Sequence, residues 1–159
     1  GAVVNETIEI GDMPRIVREA ARSYGRTMPN VAALALDASV MNAPAILSEI
    51  AERAASWAPG ELNHVINFTL LPLTPADTDA ITTVLGQVPL TIVSGGYGTC
   101  RIMATAVRNV WAVQYLNANG AIILDTVEIG DVPEAARAAQ VDFEDSAVRL
   151  GEIMEAYLT

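Results

Sequence analysis

Three observations predict an α+β fold, in which a meander of about five mostly antiparallel strands forms one sheet with helices packed on one face. Apolar β-formers mark short strands at residues 64–71, 88–93, 100–107, 110–117 and 121–129. Apolar residues spaced three or four apart mark helices around them. Asn119-Gly120 tolerates the positive φ that tight hairpins need, so the last two strands should be antiparallel neighbours.

Residues 1–41 are predicted as a strand–turn–helix lead-in that joins an α+β domain at residues 42–159 in one compact unit. The lead-in strand is expected at 3–10. Asp12 resembles a helix N-cap before Pro14, and Gly25 is expected to end that helix. The pattern between 27 and 41 does not separate strand from helix.

Three further helices are predicted after polar cap residues at Asn42, Thr74 and Asp142, and the first two also carry an early proline. Pro59-Gly60 and Gly86 are expected to end the first two helices. The residues expected to face the core are Ile46, Ile50, Ala54 and Trp57, then Ile81, Val84 and Leu85, and in the last helix Phe143, Ala147, Leu150, Met154 and Tyr157.

One short motif occurs twice. Residues 7–15 (TIEIGDMPR) match residues 126–134 (TVEIGDVPE) at a constant offset of 119, and Arg18 then matches Arg137. The match indicates a shared strand–turn–helix unit at both ends of the chain, the alternative being common turn chemistry that occurs twice.

Composition limits the classes of partner. The chain has 159 residues, of which 52% are hydrophobic, and a net charge of −10, which argues against nucleic acid as a partner. The charge is compatible with a basic protein or peptide as partner. It is also compatible with an acidic surface that serves solubility alone. No apolar run approaches the roughly 20 residues of a membrane span, and residues 1–12 lack the features of a secretory signal. The single cysteine suits a reducing, cytoplasmic setting.

The glycine-rich segment 94–101 (SGGYGTCR) lies between two predicted strands and lacks the phosphate-binding patterns GxxxxGK[ST] and GxGxxG. It is therefore interpreted as a loop that presents backbone groups to a partner. Arg101 would favour a Cys100 thiolate, but neighbours on a strand point to opposite faces, so Cys100 is also interpreted as a small, half-buried hydrophobe. His64 is the only histidine and lies on another strand. No catalytic residue, metal site or cofactor is predicted.

Trp111 and Tyr115 share one face of a predicted strand, where aromatic residues form either core or a protein-binding surface. Together with the glycine-rich segment they give the predicted partner-binding residues: Ser94, Gly95, Gly96, Tyr97, Gly98, Cys100, Arg101, Trp111 and Tyr115.

Several ordered motifs between 42 and 153 resemble one known family: NFTLLPLTPAD, LTIVSGGYGTCRI, NVWAVQYLNANGAIILDTVEIGDVPE and DSAVRLGEI. They are similar to the HupH/HyaF family of accessory proteins for the expression and maturation of membrane-bound [NiFe] uptake hydrogenases. The resemblance implies a non-catalytic, cytoplasmic chaperone that acts on the iron–sulfur small subunit before export, alongside another accessory protein. The acidic surface would suit the basic twin-arginine leader of that subunit.

The chain departs from the family pattern at Gly95, where relatives carry an arginine before Gly-Tyr-Gly, and many relatives are longer. Two alternatives remain open. A small cysteine-dependent enzyme would use Cys100 and predicts a thiol pKa well below the ordinary value of about 8.5. A non-catalytic adaptor would form a homodimer through an exposed edge of the sheet.

Overall fold

The computed structural model describes residues 9–95 and 98–158. Within these residues the chain forms four α-helices, five strands and three short 3-10 turns. The helices are α1 (Arg15–Ser23), α2 (Ala43–Ser56), α3 (Pro75–Leu85) and α4 (Gln140–Leu158). The strands are β1 (His64–Asn67), β2 (Thr91–Gly95), β3 (Thr99–Ala104), β4 (Val110–Leu116) and β5 (Ile122–Ile129). The 3-10 turns are Val31–Ala33, Phe68–Leu70 and Glu134–Ala136.

The five strands form one sheet in the order β1-β5-β4-β3-β2, with every neighbouring pair antiparallel. Strands β2 to β5 are a meander, and β1 pairs with β5 at the far edge. The segment containing α3 therefore carries the chain from one edge of the sheet to the other. The predicted α+β class and antiparallel meander are confirmed.

The predicted turn at Asn119-Gly120 is present, and a second hairpin turn joins β3 to β4. Asn109 adopts a positive φ of 59° between β3 and β4. Between β4 and β5, Gly120 has a φ of 79° and its N–H donates to the Asn117 carbonyl over 2.9 Å. The Asn117 side chain also accepts hydrogen bonds from two backbone N–H groups of this turn, each 3.0 Å long. Local turn chemistry thus sets the order of the central strands.

Helices α2 and α3 cover one face of the sheet, which we call the α2–α3 face. Its core joins apolar residues of both helices to those of β1, β4 and β5, and many of them are fully buried. The buried members are Ala43, Ile46, Leu47, Ile50, Ile66, Ile81, Val84, Leu85, Val107, Val110, Val127 and Ile129. The predicted core residues of both helices meet here, with Ala54 partly buried, except for Trp57, which follows the end of α2 and is not part of this core.

A buried carboxylate joins these two helices. Asp77 accepts N–H bonds on Oδ1 from residues 41, 42 and 43 at the start of α2, over 2.7–2.9 Å. On Oδ2 it accepts the N–H and hydroxyl of Thr74, which closes a capping box on α3. The Asn42 side chain makes no cap bond, contrary to prediction. One carboxylate therefore caps both helices.

The opposite face, which we call the α1 face, is covered in its middle by α1 and the Glu134–Ala136 turn. Cys100, Ile102, Trp111 and Val113 form its buried centre, together with Met13, Ala104 and Val132 of the same cluster. The lead-in is thus attached to the sheet. A parallel bridge pairs Arg26 with Val107, next to the β3–β4 turn.

The repeated motif has the same ion pair in both copies. Arg18 binds Asp12 over 2.6 Å and Arg137 binds Asp131 over 2.8 Å. The copies also contact each other, since the Ala138 N–H donates to the Asp12 carbonyl over 2.8 Å. The sequence predicted that Asp12 caps α1, but it does not, because the helix begins three residues later. A 3-10 turn follows the second copy where an α-helix follows the first.

Other predicted strands differ from the structure. The strand expected at 64–71 ends at Asn67, whose side chain accepts the Thr69 N–H over 3.0 Å and starts a 3-10 turn. Residues 3–8 of the strand expected at 3–10 lie outside the described residues, and residues 9–10 are not in a strand.

The predicted core stripe of the last helix is wrong. Helix α4 buries no residue, and the side chains of Leu150, Met154 and Tyr157 are 54%, 60% and 86% exposed. The spacing of apolar residues predicted the helix correctly, but within the described residues no second element covers its apolar stripe. None of the described helices is long and apolar enough to cross a membrane.

Candidate functional site

Three neighbouring strands bring predicted site residues together at one end of the α1 face. In the antiparallel register Ser94 of β2 lies opposite Cys100 of β3, which lies opposite Tyr115 of β4. Their side chains consequently point to the same face of the sheet. A row of hydroxyl, thiol and phenol groups results.

An open cavity of about 700 Å³ lies over this row, and we call it the Cys100 pocket. It is bounded by the glycine-rich segment, the β4–β5 hairpin and the Glu134–Ala136 turn. Its lining residues carry no charge: Ser94, Gly95, Gly98, Thr99, Cys100, Tyr115, Leu116, Asn117, Ala118, Ile123 and Ala135. An uncharged, mostly apolar concavity of this kind is suited to burying an apolar group.

The Cys100 thiol at the floor of the pocket is buried. Burial raises its pKa above the ordinary value, the Tyr115 hydroxyl within hydrogen-bonding reach opposes that shift, and the negative charge of Glu128 adds to it. At neutral pH the thiol therefore stays protonated and acts as a small hydrophobe with a weak donor. This runs against the cysteine-enzyme alternative, which requires a lowered pKa.

His64 is not placed to activate Cys100. It lies on β1, which β5 and β4 separate from β3. Its register partner Ile129 belongs to the core of the α2–α3 face, whereas Cys100 belongs to the α1 face. The His64 ring instead contacts Glu49 over 2.7 Å.

Tyr115 and Glu128 complete the polar part of the α1 face. Burial raises the pKa of the Tyr115 phenol, and the neighbouring Cys100 and Glu128 raise it further. Burial also raises the pKa of Glu128, while the Asn63 amide donates to its carboxylate over 3.2 Å and opposes the shift. These groups are thus electrostatically coupled along one face of the sheet.

Five of the nine predicted partner-binding residues line the Cys100 pocket: Ser94, Gly95, Gly98, Cys100 and Tyr115. Gly96 and Tyr97 lie outside the described residues. Arg101 is exposed on the α2–α3 face of β3, opposite to Cys100. Trp111 shares the face of Cys100 but lies at the other end of β4, where its side chain is only 4% exposed.

Sequence reasoning missed the pocket residues contributed by later segments. Asn117, Ala118 and Ile123 belong to the predicted β4–β5 hairpin, so its position next to the glycine-rich segment could have indicated them. Ala135 had no such signal, because it reaches the pocket through a turn that follows the sheet. Within 9–95 and 98–158, no group of three or more His, Cys, Asp or Glu side chains is placed to hold a metal ion.

Comparison with known proteins identifies relatives over most of the chain. Residues 40–157 match the family described as "HupH hydrogenase expression protein, C-terminal conserved region". Hydrogenase expression/formation protein HupH of Rhizobium leguminosarum bv. viciae is 41% identical over 157 residues, which are 99% of this chain and 55% of that protein. Hydrogenase expression/formation protein HoxQ of Cupriavidus necator is 46% identical over 148 residues, 93% of this chain and 52% of that protein.

A solved structure is also similar. Hydrogenase expression protein HupH from Thiobacillus denitrificans superposes with a TM-score of 0.66 at 28% identity, over 72% of this chain and 96% of that one. The curated relatives are longer, and this chain spans about half of their length.

Proposed function

This chain belongs to the HupH hydrogenase expression protein family, and from that premise we propose that it is an accessory protein in the maturation of a [NiFe] uptake hydrogenase. It acts as a chaperone that binds the iron–sulfur small subunit before export. It works alongside another maturation accessory protein. Its contribution is binding, with no reaction of its own.

The Cys100 pocket is the observation that carries this proposal. The pocket is open, uncharged and large enough for one or two apolar side chains. Its apolar wall is accessible, since Ile123 of β5 is 59% exposed. An accessible apolar surface of this kind supports protein binding. A protonated, buried Cys100 fits the floor of such a surface better than it fits a nucleophile.

The edge of the sheet beside the pocket supports binding of an extended segment. Among the described strands β2 pairs with β3 alone, so its outer edge has no strand partner. An extended peptide can add to such an edge through main-chain hydrogen bonds while its alternate side chains enter pockets. The net charge of −10 favours a segment that carries basic residues. An apolar segment with a basic flank, as in a twin-arginine leader, meets both requirements.

Co-purification with the small subunit tests this function. The tagged chain is expressed in a hydrogenase-producing host that lacks its own homologue, and the small subunit recovered with it is quantified. Ile123→Asp places a charge in the pocket wall, and we expect recovery to fall at least about tenfold, since each factor of ten corresponds to about 1.4 kcal/mol. Ile16→Asp is the matched control, because Ile16 is 72% exposed on α1 and outside the pocket.

Absence of the small subunit with the unmodified chain would contradict the proposal. Equal loss with Ile123→Asp and Ile16→Asp would contradict the assignment of the pocket. Cys100→Ser separates the roles of the cysteine. Retained association would assign Cys100 to packing, and lost association in a folded variant would assign it to the contact.

A further inference from the structure

A second cavity lies at the opposite end of β4 from the Cys100 pocket. It has a volume of about 230 Å³ and lies between α1, the β3–β4 turn and the segment that follows β5. We call it the arginine cleft. Its lining residues are Arg18, Ala21, Arg22, Arg108, Asn109, Trp111, Gly130, Asp131 and Val132.

The cleft carries positive charge in an acidic protein. Arg18 and Asp12 form one ion pair, and Arg137 and Asp131 form a second beside it. These four side chains balance one another: Asp131 also raises the pKa of Arg18, and Arg137 approaches Asp12 to 4.0 Å. Arg22 and Arg108 also line the cleft. Among the described residues neither of these two guanidinium groups forms an ion pair, and that of Arg108 donates to the Gly25 carbonyl over 3.5 Å.

Backbone contacts fix the segment that follows α1 on the β3–β4 turn. The Arg26 N–H donates to the Ala106 carbonyl over 2.7 Å, and the Arg108 N–H donates to the Arg26 carbonyl over 2.9 Å. Gly25 fits against the turn only because it lacks a side chain, since a Cβ there would lie 2.6 Å from the Arg108 Cα. The end of α1 is thus fixed next to the β3–β4 turn, so that the exposed side chains of Arg22 and Arg108 line the same cleft.

This arrangement has an electrostatic cost in the free protein. Arg18 and Arg22 are four residues apart on one helix, a spacing at which like charges repel. Arg108 adds a third cation from another element. The net charge of −10 would keep anions away from most of the surface, so an anion that enters this cleft is held by local groups.

We propose that the arginine cleft binds a small dianion, either a phosphate group or a dicarboxylate. The two uncompensated guanidinium groups match its charge, and their planar N–H forks match the oxygen geometry of either group. The Asn109 side chain on the cleft wall supplies a further polar contact. This site is separate from the partner-binding function proposed for the Cys100 pocket.

Titration calorimetry of the full chain with inorganic phosphate and, separately, with malonate tests the site, at an ionic strength held constant with chloride. We expect saturable binding of at least one dianion. Arg22→Gln/Arg108→Gln should weaken it at least about tenfold, or about 1.4 kcal/mol. Arg53→Gln/Arg101→Gln removes the same charge from exposed positions outside the cleft and should leave affinity within about twofold. Circular dichroism verifies that both variants fold.

Saturation by phosphate alone or malonate alone would identify which oxyanion the cleft takes. The proposal is overturned if neither dianion saturates the unmodified chain, or if the control variant weakens binding as much as the cleft variant. Thermal unfolding gives an independent readout, because a ligand that binds the folded state raises Tm. That rise should be lost in Arg22→Gln/Arg108→Gln and kept in the control.

Discussion

The two faces of the sheet differ in the elements that cover them and in the size of their apolar cores. On the α2–α3 face, two helices meet the strands across an apolar core and are joined by the buried Asp77 carboxylate. On the α1 face, a short helix and a turn cover only the middle. The Cys100 pocket and the arginine cleft remain open at its two ends. Cavities of about 680 and 250 Å³ also lie beside α2 and α3, so the faces differ mainly in the larger apolar core of the α2–α3 face and in the Cys100 row of the α1 face.

Removing Asp77 should break the α2–α3 face and give the largest loss of stability. Asp77→Ala leaves the N–H groups at the start of α2 and the Thr74 hydroxyl without their acceptor. We expect Tm to fall by about 5 to 10 °C in thermal unfolding followed by circular dichroism. Asp79→Ala on the exposed side of the same helix is the control, and an equal fall in that variant would contradict the account.

The same carboxylate should make stability fall in acid. Hydrogen bonds from backbone N–H groups and Thr74 outweigh the effect of burial and hold the pKa of Asp77 far below its ordinary value of 3.8. A lowered carboxyl pKa contributes stability above 3.8, and that contribution is lost as the pH falls further. The free energy of unfolding should therefore decrease below about pH 4. This decrease with falling pH should be shallower in Asp77→Asn. Equal slopes of unfolding free energy against pH in the two proteins would argue against Asp77 as its cause.

On the α1 face, a smaller effect is expected at the Cys100 thiol. Burial and Glu128 raise its pKa, so alkylation by iodoacetamide at neutral pH should be slower than that of a free cysteine. Glu128→Gln removes one of the two causes of the raised Cys100 pKa. In this variant the pH profile of the alkylation rate should therefore shift to lower pH. Glu61→Gln, at an exposed position, should leave the profile unchanged. A thiol that reacts faster than free cysteine would restore the enzyme alternative.

Local features of the fold could be predicted from the sequence because neighbouring residues determine them. The Asn119-Gly120 turn, the Thr74 cap and the spacing of apolar residues in α2 and α3 each depend on a few consecutive positions. The resulting antiparallel register also brought Ser94, Cys100 and Tyr115 together as part of one predicted surface.

The remaining features depend on distant contacts. Asp77 caps α2 from 34 to 36 residues away in the sequence, and Arg22 and Arg108 line one cleft only because the lead-in docks on the β3–β4 turn. Spacing alone also could not reveal that the stripe of α4 lacks a covering partner among the described residues. Periodicity identifies an apolar face but does not identify what covers it.

Hydrogen–deuterium exchange of the chain, alone and with the immature small subunit, tests most directly whether the α1 face is the binding face. We expect slower exchange in β2 and at residues 117–123 of the β4–β5 hairpin when the subunit is present, with exchange in α2 and α3 unchanged. Protection confined to α2 and α3, or no change anywhere on the chain, would contradict the account.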